Sequence, residues 1–154
     1  MRAIVMEYTT RDIEKIAYKK LWHKGWYGCF EVAIPRVMQN KKRRERVDLM
    51  SYETGGIFRC YEIKRTKSDF YSKCAWSFIG NYNYFIMPKE LYEKVKNDIP
   101  NGIGVYTVSG QKMEIAVRPK YKELRCDKMD MMVALLQGLS REYKKKKWKN
   151  IRLL

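Results

Sequence analysis

Asp48 sits in a short apolar run, Arg46-Val47-Asp48-Leu49. A strand and a turn later, Glu62 and Lys64 stand two residues apart in a second run, Tyr61-Glu62-Ile63-Lys64. Carboxylates are costly inside apolar segments unless something there needs them. A divalent cation beside a phosphodiester is such a need. Hydrolysis of that bond requires an activated water, neutralised charge in the transition state and a proton for the leaving oxygen, and a metal supplies the first two. Mg²⁺ or Mn²⁺ would take Asp48 and Glu62 as ligands, because Mg²⁺ prefers one or two carboxylates plus waters. The main-chain carbonyl of Ile63 would add a third oxygen. Lys64 would steer the nucleophile and stabilise negative charge. The residues alone allow a plainer reading, in which Asp48 caps a turn and Glu62–Lys64 is an exposed pair worth little.

The elements that must position these groups are legible. Val47 to Tyr52 and Ile57 to Lys64 read as strands joined by Thr54-Gly55-Gly56, a hairpin. Side chains alternate along a strand, so Glu62 and Lys64 share a face, roughly 6.6 Å apart. Before the hairpin, Thr9 to His23 predicts a helix capped by Thr9 or Thr10, with Ile13, Ile16, Ala17 and Leu21 inward. Trp26 to Ile34 predicts a strand with Phe30, Val32 and Ile34 on one side. Glu31 and Ala33 fall on the other, and an acid in such a strand is unusual. If that strand neighbours the one carrying Asp48, Glu31 adds a second acid for a metal or its water.

After the hairpin, Ser68 is the expected cap of a helix to about Ile79. A strand follows at Tyr82–Met87, a helix after Pro88, and a second hairpin around Ser109-Gly110-Gln111. Lys128 to Tyr143 predicts a final helix with Met132, Val133, Leu136 and Leu139 inward. Residues 1–143 then form one domain, and 144–154 a basic tail that is poorly ordered or holds DNA. Strands interleaved with helices indicate an α/β domain with a mixed sheet.

The chain has 154 residues, 45% hydrophobic and 14% aromatic. A domain of that size buries about 68–70% of the surface of its unfolded chain, so a core is available. No apolar run approaches the roughly 18 residues of a membrane span. The first residues are too short and too soon acidic for a secretory signal, so the expected location is cytoplasmic, on the nucleoid if the source is bacterial or a phage. Cys29, Cys60, Cys74 and Cys126 lack metal-ligand spacing and are expected as reduced core residues, and His23 as incidental. The 33 basic and 17 acidic side chains leave a net charge of +16, which points to a polyanion, nucleic acid before any membrane. The charge is clustered, at Lys41-Lys42-Arg43-Arg44 and Lys144–Lys147. Arg43, Arg44, Arg46, Arg65 and Lys67 flank the carboxylates, so phosphate tracking is expected of them together with Lys41, Lys42 and Lys73. Trp76, Tyr82 and Tyr84 suit helix–sheet packing better than base stacking.

The acid–x–lysine pattern resembles the PD-(D/E)xK nuclease superfamily. A longer series is similar to the MmcB-like DNA repair family, which carries that fold. It comprises Arg44-Glu45-Arg46-Val47-Asp48-Leu49, Tyr61-Glu62-Ile63-Lys64, Ser68-Asp69-Phe70, Lys73, Trp76, Tyr82 to Pro88 and Ile99 to Gly104. The resemblance covers Phe30 to Val108, and Val47 stands where the superfamily pattern has proline. It implies a restriction-endonuclease-like domain, a mixed sheet flanked by helices, and a DNA substrate. It also implies a metal-dependent endonuclease of repair or recombination, with Glu31, Asp48, Glu62 and Lys64 as its active-site set. Related folds often place an acid on the first helix, which makes Glu14 a second candidate, although an ordinary solvated helix residue is its plainer reading. Some members bind DNA without demonstrated cutting, so a non-catalytic DNA-binding accessory protein is the alternative. Partners beyond DNA would be a second copy or a repair protein.

Overall fold

The computed structural model describes residues 7–35, 38, 45–72 and 78–152, with side chains to 147. Helix α1, Thr10–Leu21, starts at Thr9. The Thr9 hydroxyl accepts the Asp12 N–H while the Asp12 carboxylate accepts the Thr9 N–H, a reciprocal cap. Strands β1 (Trp26–Ala33), β2 (Arg46–Glu53) and β3 (Ile57–Ile63) follow. Helix α2 (Lys67–Tyr71), β4 (Tyr82–Pro88) and α3 (Lys89–Val95) come next. They precede a short 3₁₀ turn, β5 (Gly104–Ser109), β6 (Lys112–Val117) and the long α4, Lys128–Arg152.

The six strands lie side by side in chain order. β1, β2 and β3 are antiparallel, β3, β4 and β5 parallel, and β5 and β6 antiparallel, so this is a mixed sheet flanked by helices in one α/β domain. At the start of β4 two asparagines replace missing ladder bonds. Asn81 Oδ1 accepts the Phe58 N–H, and Asn83 exchanges two bonds with the Gly80 backbone. Both amides are buried, where unmade hydrogen bonds would be expensive.

Alternation sorts the core into two faces. α1 covers Leu49, Tyr61, Ile63, Tyr84 and Ile86 with its own Ile13, Ile16 and Ala17. On the other face α4 covers Cys29, Val32, Met50, Phe58 and Cys60, while α2 and α3 cover Phe85, Met87 and Val105. Cys29, Cys60 and Cys126 are free thiols, and burial pushes the Cys60 thiol far up, as befits an inert core residue. No helix among the described residues is long and apolar enough to cross a membrane.

Four sequence expectations need correction. The alternation of β1 breaks at Glu31: Phe30 packs on the α1 face but Val32 on the α4 face, because Glu31 takes φ 54°. Thr66, not Ser68, caps α2, with its hydroxyl accepting the Asp69 N–H, and α2 ends at Tyr71 with Ile79 outside any helix. In α4 the inward residues are Met131, Ala134, Leu135 and Gly138, with Met132 partly buried; Val133, Leu136 and Leu139 are exposed. The helix also runs on through Lys144–Lys147 rather than ending at Tyr143.

Candidate functional site

The strand register brings the three acids singled out in the sequence into one row. Phe30 pairs with Leu49 and Val32 with Val47, which places Glu31 opposite Asp48. The β2–β3 ladder runs from Glu53 opposite Ile57 to Leu49 opposite Tyr61, so Asp48 and Glu62 each stand one residue beyond its last pair. Glu31, Asp48 and Glu62 therefore occupy adjacent strands at one level, with neighbouring strands about 4.8 Å apart. The level lies towards the C-terminal end of the parallel strands β3 and β4, where open α/β sheets place their ligand crevices.

Each member is held by a different device. Asp48 turns its carboxylate along the sheet, and Oδ2 accepts the Ile63 N–H at 2.8 Å. The carboxylate is thus fixed against the backbone between Glu62 and Lys64. Glu62 is only 7% exposed, and its charge acts on the Cys60 thiol behind it. Lys64 is 5% exposed, and its Nζ donates to the Asp69 carbonyl at 3.2 Å and lies 3.9 Å from the Asp69 carboxylate. Its aliphatic stem is buried while its ammonium is held at the β3–α2 turn.

Glu31 is the exposed end of the row. Its carboxylate lies 3.6 Å from Arg46, and its carbonyl accepts from Arg141 of α4 at 2.8 Å. Arg141 also donates to the Phe30 carbonyl, so one guanidinium braces the irregular backbone from across the molecule. A non-glycine residue at positive φ is costly, and such strain concentrates at functional sites. Glu14 on α1 joins this group. Burial pushes its carboxyl upward, and the charges of Glu31 and then Asp48 push it the same way, partly offset by Arg11. The helix residue is half-buried and feels the charges of two members of the row.

Asp69 is a residue that the sequence pattern leaves without a role. It organises the turn: its carboxylate accepts the Arg65 N–H, its N–H donates to Thr66, and its carbonyl receives Lys64. The available signal was Thr66-Lys67-Ser68-Asp69, a cap spacing that fixes the helix start. Arg46, at the start of β2, and Arg65 and Lys67, just after β3, lie at the same end of the sheet as the acids. Lys41, Lys42, Arg43, Arg44 and Lys73 lie outside the described residues.

Among the described residues no three His, Cys, Asp or Glu side chains form a ready-made metal cage. The donor chemistry nonetheless suits a hard cation that keeps most of its waters, since such an ion takes one or two carboxylates. Asp48 and Glu62 would be those, with the Ile63 carbonyl beside them and Glu31 able to join through a water.

No family model matches the chain, and no curated protein matches it. Among solved structures, the chain is similar to the SPO1766 protein of unknown function from Silicibacter pomeroyi. The TM-score is 0.66 at 15% identity, over 97% of this chain and 94% of that one. At that identity the likeness concerns the fold, which the two chains share over nearly their whole lengths.

Proposed function

We propose that the chain is a metal-dependent DNA endonuclease on a restriction-endonuclease-like fold, of the MmcB-like kind, acting in repair or recombination. The observation that carries this reading is the common level of Glu31, Asp48 and Glu62 on β1, β2 and β3, with Lys64 one residue past the end of β3. Asp48, Glu62 and the Ile63 carbonyl would hold Mg²⁺ or Mn²⁺, which supplies an activated water and charge neutralisation. Lys64, held at the turn by Asp69, donates to the phosphate and steadies the nucleophile. Glu31 and Glu14 supply negative charge around the entering water. Arg46, Arg65 and Lys67 take backbone phosphates, and the net charge of +16 draws in the polyanion.

A second reading is a DNA-binding accessory protein on the same fold. Asp48 Oδ2 is already engaged by a main-chain N–H, and Lys64 by Asp69, as in a site kept for shape. Nicking of supercoiled, branched and single-stranded DNA with Mn²⁺ separates the two. The wild-type chain should cut, while Asp48→Asn and Glu62→Gln should lose at least about 100-fold in rate, as removal of a metal ligand or its support does. DNA affinity should stay within a few-fold. Cleavage by both variants at the wild-type rate would refute the site; salt-sensitive binding with no product on any substrate would leave the accessory reading.

A further inference from the structure

A concave region lies on the α1 face, towards the end of the sheet away from the acid row. It holds about 490 Å³ between the end of α1 and strands β1 to β6. That is within the usual size of a small-ligand site. Its floor is a tyrosine layer: Tyr61 and Tyr84 stack with centroids 4.8 Å apart and planes 11° from parallel, and Tyr106 lies 5.2 Å from Tyr84. Burial moves the ionisation of all three phenols to higher pH, so they stay protonated and can act as neutral donors. Trp26 lines the same recess at 4% exposure, and its indole N–H has no hydrogen-bond partner among the described residues.

The charge of the lining is lopsided. Lys20, Arg59 and Arg118 face one carboxylate, Glu53. Arg59 sits over the Tyr82 ring at 4.9 Å, with Nη1 3.4 Å from Glu53. Its charge acts on Tyr61, Tyr84 and Tyr106 together, and that of Arg118 on Tyr106, so cations and phenols converge on one volume. Flat aromatic walls take a planar ring, and convergent guanidinium groups take an oxyanion.

We propose that this recess binds a phosphate-bearing nucleotide unit. The base lies against the half-exposed rings of Tyr82 and Tyr106 at the edge of the aromatic layer, and the phosphate meets Arg59, Arg118 and Lys20. The unit is a free mononucleotide or the phosphorylated end of a strand, which present the same chemistry. The site is separate from the acid row and does not depend on cleavage there.

Calorimetry on the full chain tests it with a nucleoside monophosphate, the parent nucleoside, inorganic phosphate, and a short oligonucleotide with and without its 5′-phosphate. The monophosphate, or the phosphorylated oligonucleotide over its unphosphorylated twin, should bind at least about tenfold more tightly than nucleoside or phosphate alone. Whichever of the two shows that preference identifies the source. Arg118→Ala is an exposed change that spares the core, and it should reduce that preference about tenfold. Asp48→Asn should leave it unchanged. In parallel, the indole ¹H–¹⁵N resonance lost in Trp26→Phe should shift when the ligand is added. The proposal fails if neither phosphorylated probe shows the preference, or if Arg118→Ala and Lys20→Ala both bind as the wild type does.

Discussion

Among the described residues, Glu31 is the non-glycine residue held at a positive φ. Its φ of 54° costs a side-chain-bearing residue about 1–2 kcal/mol, and glycine would adopt it freely. The exposed ion pair with Arg46 returns little of that. Glu31→Gly should therefore match or exceed the wild-type chain in thermal stability, by up to about 1 kcal/mol. The same change removes one acid from the row, so metal-dependent cleavage should fall. Calorimetric melting alongside the nicking assay reads both effects. A clear loss of stability would show that the carboxylate is kept for the fold; unchanged cleavage would remove Glu31 from the site. Glu14 illustrates the opposite situation. Its raised carboxyl means the folded chain holds that proton more tightly than the unfolded one, so its charge is a burden at neutral pH that a nearby cation would relieve.

At the scale of elements, β4 and β5 are matched by one missing side chain. Tyr84 pairs with Gly104, and a Cβ on Gly104 would stand 2.8 Å from the Tyr84 ring and 2.9 Å from Pro119. Gly104→Ala should destabilise the protein by about 1–3 kcal/mol and loosen the tyrosine layer, since well-packed cores resist added volume. Urea denaturation measures the first effect, and a melting curve equal to that of the wild type would contradict the tight packing. The element pattern itself was largely legible. The Gly-Gly turn marked the hairpin, alternation placed Glu62 on β3 although the strand stops at Ile63, one residue short of Lys64, and Pro88 marked the start of α3. The α4 face was not legible. Apolar residues occupy two stripes of that helix, Met131, Ala134 and Leu135 on one and Val133, Leu136 and Leu139 on the other, and only the sheet decides which is buried. The pleat break at Glu31 was also hidden, because no residue type at that position announces a left-handed backbone and its brace comes from Arg141, 110 positions away. The row of acids depended on pairing between strands, so sequence supplied its members but only the register supplied their order.

For the whole molecule, the consequence of burying phenols is a limit at high pH. Burial holds Tyr61 well above its ordinary value of 10.0 and pushes Tyr84 up to about 12, and Tyr106 is raised as well. The unfolded chain gives up these protons near 10 while the folded chain keeps them. Deprotonation therefore favours the unfolded state. The stability these groups support is complete below pH 10 and declines as pH rises through the window up to about 12. Each such group contributes a slope of at most about 1.4 kcal/mol per pH unit. Lysine deprotonation over the same range works the other way, by relieving the repulsion of a chain at +16. A comparison of variants separates the two effects, because Tyr84→Phe removes one phenol and leaves every lysine in place. Far-ultraviolet circular dichroism and tyrosinate absorbance, followed together through an alkaline titration, should show one group of tyrosines ionising early. The remainder should ionise only as the fold is lost, and in Tyr84→Phe that loss should move to higher pH. If every tyrosine ionises near its ordinary value while the dichroism is intact, the phenols are open to water and burial does not hold their protons.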